Sequence, residues 1–570
     1  LYAWLAHSDD CAALLDGDFA FAIWDPRNQT LFCARDGMGV RPLCFHHAPG
    51  KLFAFASATE ALLVLPDVPE ALDEGRIADA LTPYLEGLDK TSTMYAAIQR
   101  LPPAHWLRLR DGRVKQECYW APRAGAFSPP RSDAEWIEAF SATLEDAVAR
   151  QLEGSDEVGC TLSGGMDSSA LAVIARDQLD AAGRGPLRTY SSIDDNPDCR
   201  ETAAIEAVLG LGGFAPTRIE PDTIAVLRDE LRAAGDDLGE PFDGGMYLLH
   251  AQYLMAARQG LHALLDGIDA DILLGDHGVL VRQIRGLRWR AAWNNARGLE
   301  RRFPAMNALR ILAGAARAAL APESLRRHIR PRRLQEDAEQ LIADSILSPD
   351  FARRIGLIER VKQHAAWSTA SGGSPIDRTR SALAHPYTTV GFERYRRVGA
   401  RHGVDPRHPF DDRAVVELSL HLPDHLRLGN GWTKLILRQA LKDRLPESVR
   451  WRTGKEHLGA SVIHRVILSD HAEVRTRMTR FRPLLTPWVD LGKLDDALTN
   501  FHRADDGLSQ ERVFQALSLG RWLETEPHPD AMLSTLAPLP AGQAGLSSGT
   551  AASLRARTGM QAGAPGCGLG

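Results

Sequence analysis

The sequence predicts an α/β protein in two parts: a β-rich amino-terminal stretch, then a longer region in which strands and helices alternate around a mostly parallel sheet. Three observations predict it. Residues 15–120 carry short runs of alternating apolar and small or polar residues. Residues 121–132, "APRAGAFSPPRS", form a Pro/Gly/Ser-rich linker. Beyond it, apolar runs of strand length alternate with stretches of helical spacing, the pattern of βαβ units.

In the first part, "DFAFAIWD" and "KLFAFASA" read as strands, with turns at "PRNQ" and "HAPG". "IQRLPPAHWLRLRDGRVKQECYW" gives two more strands about an Asp111–Gly112 turn. After the linker, "SDAEWIEAFSATLEDAVARQL" opens on a Ser/Asp cap and continues as a helix. Strands and helices then alternate at 157–162, 166–182, 187–193, 201–211, 246–259 and 261–266. Residues 280–380 are Arg-rich and helical in spacing, and residues 531–570 are Ala/Gly/Ser-rich and read as a disordered tail.

The bulk numbers exclude several classes. The chain has 570 residues, 44% hydrophobic and 25% charged, with a net charge of −6. That length allows two or three domains with sizeable cores. The charge gives no footprint for nucleic acid. No apolar run is long enough for a membrane span. The seven cysteines, at 11, 33, 44, 118, 160, 199 and 567, form no CxxC pair. Their scatter reads as reduced thiols in a cytoplasmic protein rather than a disulfide framework or a zinc site.

One stretch carries the chemistry. In "EVGCTLSGGMDSSALAVIARD", residues 157–177, a buried strand turns through SGGMDSS into a helix. Glycines allow close backbone approach to a ligand. Ser163, Ser168 and Ser169 offer hydroxyls, and the helix start offers free N–H groups and a positive dipole end. Together they cradle an anion. Asp167 would repel a phosphate, so its presence points to Mg²⁺ bridging carboxylate and phosphates. The loop lacks GK[ST], so it is not a P-loop. A plain capped helix after a glycine turn would need none of these hydroxyls or the carboxylate in this pattern.

SGGxDSS resembles the pyrophosphate-binding loop of enzymes that split ATP into AMP and pyrophosphate. "LLDGIDADILLG" (264–275) adds a Gly267-x-x-x-Asp271 pattern after a strand. "GVDPRHPFDDRAVVELSLHLP" (403–423) is similar to GVExRxPFLDxxxVEFALxLP, and "GWTKLILRQALKDRLPESVRWRTGK" (431–455) to GxxKxxLRxAxxxxLPxxVxxRxK. "LLDGDFAFAIWD", "ARDGMGVRPL" and "FASATEALL" resemble an amidotransferase domain. By these motifs, over residues 1 to about 525, the chain resembles the asparagine synthase family, with its β-lactam-forming and peptide-cyclising relatives.

The resemblance implies an Ntn-type αββα amidotransferase-like domain at 1–121, read as truncated at its start. An ATP-pyrophosphatase synthetase domain at 133–530 follows, carrying the helical segment of about 280–380. It implies an AMP-forming carbon–nitrogen ligase using ATP and Mg²⁺. Asp167 and Asp271 would hold the metal. Ser163, Gly164, Gly165, Ser168, Ser169 and Gly267 would cradle the phosphates, and main-chain groups at Leu162, Ser192 and Ile193 would meet adenine. Lys434 and Lys455 would stabilise the departing pyrophosphate. Asparagine synthetases carry Gly-Glu-Gly-x-Asp-Glu where this chain has Gly267-Ile268-Asp269-Ala270-Asp271-Ile272. In β-lactam-forming relatives a tyrosine at the Ile268 place pairs with a glutamate whose place here is Asp405, which therefore joins the candidate catalytic residues. Ile268 and the Arg-rich helices incline the reading to a lasso-peptide-type macrolactam cyclase acting on a peptide carboxylate. A precursor peptide and its leader-binding protein or protease would be its partners. A glutamine-hydrolysing asparagine synthetase acting on a small-molecule carboxylate is the alternative, and a non-catalytic nucleotide-binding protein the second. A glutaminase of this family needs an amino-terminal cysteine with a free α-amine; the family's place for it lies before Leu1, and neither Cys11 nor Cys33 fits the role.

Overall fold

A computed structural model describes residues 1–82, 88–122, 130–154, 157–236, 239–241, 246–276, 278–320, 323–369, 375–454, 462–503 and 506–525. The predicted tail at 531–570 and Lys455 lie outside the described residues.

The amino-terminal part is two antiparallel sheets. Strands β1 (Ala20–Asp25), β2 (Thr30–Arg35), β6 (His105–Arg110) and β7 (Arg113–Cys118) form one, in the order β1-β2-β6-β7. Strands β3 (Cys44–Ala48), β4 (Leu52–Ala56) and β5 (Gln99–Arg100) form the other, in the order β4-β3-β5. Between them Leu43, Phe45, Leu101 and Leu107 make a common core. The outer face of the first sheet is covered by the segment of Cys11 and Ala12. The second carries the helices Thr59–Leu63 and Glu74–Ala80. The order of layers is therefore αββα. The β6–β7 hairpin turns at Asp111 and Gly112, both left-handed (φ 50° and 69°), as the Asp-Gly pair predicts.

The second part holds a five-stranded sheet in the order β10-β9-β8-β11-β12. Its strands are β8 (Val158–Thr161), β9 (Leu187–Ser192), β10 (Phe214–Ile219), β11 (Ala263–Leu265) and β12 (Asp405–Arg407). Every pairing in it is parallel. Helices Asp133–Leu152 and Met166–Ala181 pack on one face with β8, and Met246–Arg258 and Pro386–His402 on the other with Tyr190 and Leu264. Ser132 caps the first of these helices, its hydroxyl accepting from the Glu135 N–H.

Two strands of this sheet escaped sequence reasoning, β10 and β12. Both are sheet edges, and each contains a proline (Pro216, Pro406) that breaks the strand pattern yet is tolerated at an edge. Between residues 279 and 383 the described segments are helical, from Val279–Arg285 to Pro375–Leu383. No helix among the described residues is long and apolar enough to cross a membrane.

Strand order decides where a ligand can sit. From central β8 the chain adds β9 and β10 on one side, then returns to place β11 and β12 on the other. The loops after β8 and β11 therefore diverge from neighbouring strands at their carboxyl ends, leaving a crevice at the switch point.

Candidate active site

The loop after β8 is fixed by geometry that only glycine permits. Gly164 has φ +67°, and a Cβ there would stand 2.8 Å from the Glu201 carbonyl oxygen and 3.1 Å from the Ile205 nitrogen. Ser163 and Ser168 close the turn, their hydroxyls 2.9 Å apart, and the Ser163 N–H donates to Ser168 Oγ. Gly165 starts the Met166–Ala181 helix with no side-chain cap, so the first N–H groups of that helix face the loop without one. The buried hydroxyls of Ser169 and Ser192 have no hydrogen-bond partner among the described residues. Gly164→Ala is expected to cost about 1–2 kcal/mol for the left-handed backbone alone, with the main-chain clash added. Thermal melting and ATP–pyrophosphate exchange should both fall; a variant matching the parent in both would show that the loop tolerates reshaping.

The loop after β11 touches the first one. A Cβ on Gly267 would lie 2.9 Å from the Ser168 nitrogen and 3.0 Å from Asp167 Cβ. Glycine is what lets the two strand ends close on each other. Asp269, at φ +63°, then starts the short helix Ala270–Leu274 that carries Asp271.

A third element completes the group. Asn430 and Gly431, both left-handed, turn the hairpin between β13 (Leu428–Gly429) and β14 (Trp432–Thr433). Lys434 follows, itself at φ +54° and 6% exposed. Its Nζ lies 2.5 Å from Asp167 Oδ2 and 2.6 Å from Asp271 Oδ1. Two acids and one lysine, each from a different loop, thus converge at the carboxyl edge of the sheet.

Sequence reasoning missed two further cations. Arg438 stacks on Trp432 and Trp451, its guanidinium 4.8 Å and 5.8 Å from the ring centroids. Burial pushes its pKa down to about 10, against the pull of Asp167. Arg452 lies 3.8 Å from Glu201, the residue whose carbonyl abuts Gly164. Both are the arginines of the LRxA and VxxR patterns, so the signal was present in the sequence.

Beside the crevice a small pocket is lined by Ser192, Ile193, Ile219, Ile224, Val462 and Arg465, among others. The Leu162 N–H is spent on the Tyr190 carbonyl and the Ile193 N–H on that of Ile219.

Asp405 is not brought to this site, and its expected place there is corrected. It stands at the amino-terminal end of β12, whereas Asp167 and Asp271 follow the carboxyl ends of their strands. Arg41 of the amino-terminal part donates to both its oxygens, at 2.7 and 3.0 Å, and Arg396 also pairs with it. Burial alone would push this carboxyl up; the Arg41 hydrogen bonds and the charges of Arg41, Arg396 and Arg407 outweigh that and hold it below 3.8. Asp405 is therefore a clamp between the two parts of the molecule. A carboxyl whose folded-state pKa is depressed stabilises above its unfolded pKa, and the gain is lost as pH falls through the folded value. Asp405→Asn should lower stability by roughly 1–3 kcal/mol at neutral pH, with the deficit shrinking below about pH 4. ATP–pyrophosphate exchange should stay within a few-fold of the parent. A large loss of exchange with unchanged melting would return Asp405 to the chemistry.

The family follows from comparison with known proteins. The asparagine synthase family matches residues 139–524, more than half of the chain, and a glutamine amidotransferase domain matches residues 1–120. The chain belongs to the asparagine synthase family, whose members are ATP-using carbon–nitrogen ligases. It is 24% identical over 472 residues to asparagine synthetase [glutamine-hydrolyzing] 3 of Bacillus subtilis, covering 79% of this chain and 69% of that one. It is 25% identical over 480 residues to asparagine synthetase [glutamine-hydrolyzing] 2 of the same organism, covering 76% of this chain but only 55%, about half, of that one. A putative asparagine synthetase [glutamine-hydrolyzing] of Mycobacterium tuberculosis is 35% identical over 167 residues, 28% of this chain and 25% of its own.

Proposed function

We propose that the chain adenylates a carboxylate with ATP and passes the acyl group to a nitrogen nucleophile. The observation that supports this most is the convergence of Asp167, Asp271 and Lys434 at the sheet's switch point, beside a glycine loop shaped for an anion. A carboxylate oxygen attacks the α-phosphorus, and the bond to pyrophosphate breaks. The nitrogen then attacks the acyl carbonyl, the bond to AMP breaks, and the nitrogen gives up a proton.

The roles divide by charge. Asp167 and Asp271 fit Mg²⁺, which takes one or two carboxylates and completes its shell with phosphates and water. When bound, the ion neutralises charge on the leaving pyrophosphate. Lys434 balances both carboxylates here and would be available to the phosphates if a metal took over that charge. Lys434, Arg438, Arg452 and Lys455 supply positive charge where the leaving group develops negative charge. The helix N-terminus at Gly165 orients the phosphates, with Ser163, Ser168 and Ser169 around it. The pocket at Ser192 and Ile193 suits the flat apolar base.

For the acyl and amine partners we favour a macrolactam cyclase of the lasso-peptide kind. It would join a peptide's Asp or Glu side chain to the same peptide's amino terminus, in the cytoplasm, with a leader-binding protein or protease as partner. Ile268 supports this reading, since it is packed against the core and offers no proton acceptor where asparagine synthetases keep a glutamate. The Arg-rich helices after Val279 support it as a surface for a peptide. The names of the relatives and the amidotransferase match at residues 1–120 favour the second reading, glutamine-dependent asparagine synthesis. Aspartate, ATP, Mg²⁺ and ammonium should give little asparagine, while a suitable peptide should lose one water by mass with release of AMP and pyrophosphate. Abundant asparagine, identified by mass, would reverse the choice.

A further inference from the structure

The helices after Val279 have a packed inner side and an unpartnered outer one. On the inner side Ile284, Ala292 and Ala319 pack with Val279 and Leu428. Buried Asn295 accepts from the Gly431 N–H at 2.9 Å, and a Cβ on Gly298 would strike the Asn430 carbonyl. The helix Trp289–Arg302 is thus seated on the hairpin that leads to Lys434. The helix Ala308–Leu320 closes over the same core through Ala319.

On the outer side large apolar side chains stand in water. Leu287 is 77% exposed, Trp289 45%, Trp293 42%, Met306 46% and Leu309 66%. Trp289 and Trp293 are one turn apart, on one side of their helix. Exposed apolar residues scattered singly need no explanation, but a gathering of them marks an interaction surface.

The charge of the same segment is one-sided. Residues 279–320 hold nine arginines and one acid, Glu300, in a chain whose net charge is −6. Arg282 is spent on Asp424, Arg285 on the Ala319 carbonyl and Arg302 on the Asn430 carbonyl. Arg297 pairs with Glu300 and lies 5.7 Å from the centre of a Trp293 ring. Exposed Arg288, Arg290, Arg301 and Arg310 have no acidic partner among the described residues. They are interleaved with the exposed apolar residues, as Leu287-Arg288-Trp289-Arg290, Arg301-Arg302-Phe303 and Leu309-Arg310.

That interleaving decides what fits. A second copy would set arginine against arginine. A single-stranded nucleic acid would use the arginines and indoles but leave Leu287, Met306 and Leu309 in water. An acidic peptide would take the charges and leave the same side chains uncovered. An anionic bilayer uses all of them: phosphates meet the guanidinium groups, indoles sit at headgroup level, and aliphatic side chains reach the acyl boundary. No spanning helix is needed for such a contact.

We propose that the outer side of residues 287–310 docks on an anionic phospholipid bilayer, with Trp289, Trp293 and Leu309 entering the interface and Arg288, Arg290 and Arg301 meeting the phosphates. The helices from Glu323 onward are left for the peptide of the function proposed above, and this proposal does not rest on that reading. The full chain, without ATP, is floated with vesicles of phosphatidylcholine alone and of phosphatidylcholine mixed with phosphatidylglycerol. It should bind the mixed vesicles, bind them less as salt rises, and leave the neutral ones. Arg290→Gln with Arg301→Gln should weaken binding by about fivefold per charge. Trp289→Ser with Trp293→Ser should weaken it by about tenfold or more. All four side chains are exposed, so melting of both variants should stay close to the parent's. No binding to the mixed vesicles, equal binding to the neutral ones, or parent-like binding by both variants would overturn the proposal. So would capture of oligoglutamate or a single-stranded oligonucleotide by a chain that ignores the vesicles.

Discussion

Replacing Lys434 with methionine is expected to lower turnover by a factor on the order of 10² to 10³, the range for losing one preorganised electrostatic stabiliser. Methionine keeps most of the side chain's length and apolar stem, so the change is chiefly one of charge. Lys434 is buried, and its Nζ balances Asp167 and Asp271 together. Without it the two carboxylates lose the cation they share here. A divalent cation should then bind the nucleotide-free variant more tightly than the parent and raise its melting temperature more, because binding to the folded state alone stabilises by mass action. The kinetic and thermal readouts are independent. Activity within a few-fold of the parent would remove Lys434 from the chemistry. An equal thermal response to Mg²⁺ would show that the lysine and the metal do not share the carboxylates.

Asp167→Asn should be of similar size, with turnover down by a factor on the order of 10² or more. The amide keeps the loop's shape and removes one negative charge. Exposure decides which acid matters more. The Asp167 side chain is 16% exposed and that of Asp271 63%, so water screens Asp271 far more. Asp271→Asn should therefore cost less than Asp167→Asn when both are measured by ATP–pyrophosphate exchange at saturating Mg²⁺. The reverse order would place the principal metal contact on Asp271.

The two halves of the fold were legible because each rests on local patterns. Alternation in "DFAFAIWD" and the Asp111–Gly112 turn fix hairpins without reference to the rest of the chain. The SGGMDSS loop was legible for the same reason: its glycines, hydroxyls and helix start lie within a few residues, and Gly164 takes the left-handed backbone such a turn requires. What long-range packing decides was not legible. The proline-bearing edge strands β10 and β12 gave no periodicity. Lys434 reaches Asp167 across 267 positions of sequence, and only the folded hairpin shows that it also reaches Asp271. Asp405 was read by its neighbours in a motif, but its place is set by Arg41, 364 positions away.

The most direct test of the adenylation chemistry is to follow oxygen from the carboxylate. The full chain is incubated with ATP, Mg²⁺ and an ¹⁸O-labelled carboxylate, with aspartate and a peptide bearing an acidic side chain tried separately, and the nucleotide products are analysed by mass. Attack of the carboxylate on the α-phosphorus predicts AMP carrying one labelled oxygen, with unlabelled pyrophosphate, from whichever carboxylate is the substrate. ADP and phosphate as the products, or AMP without label from either carboxylate, would contradict it.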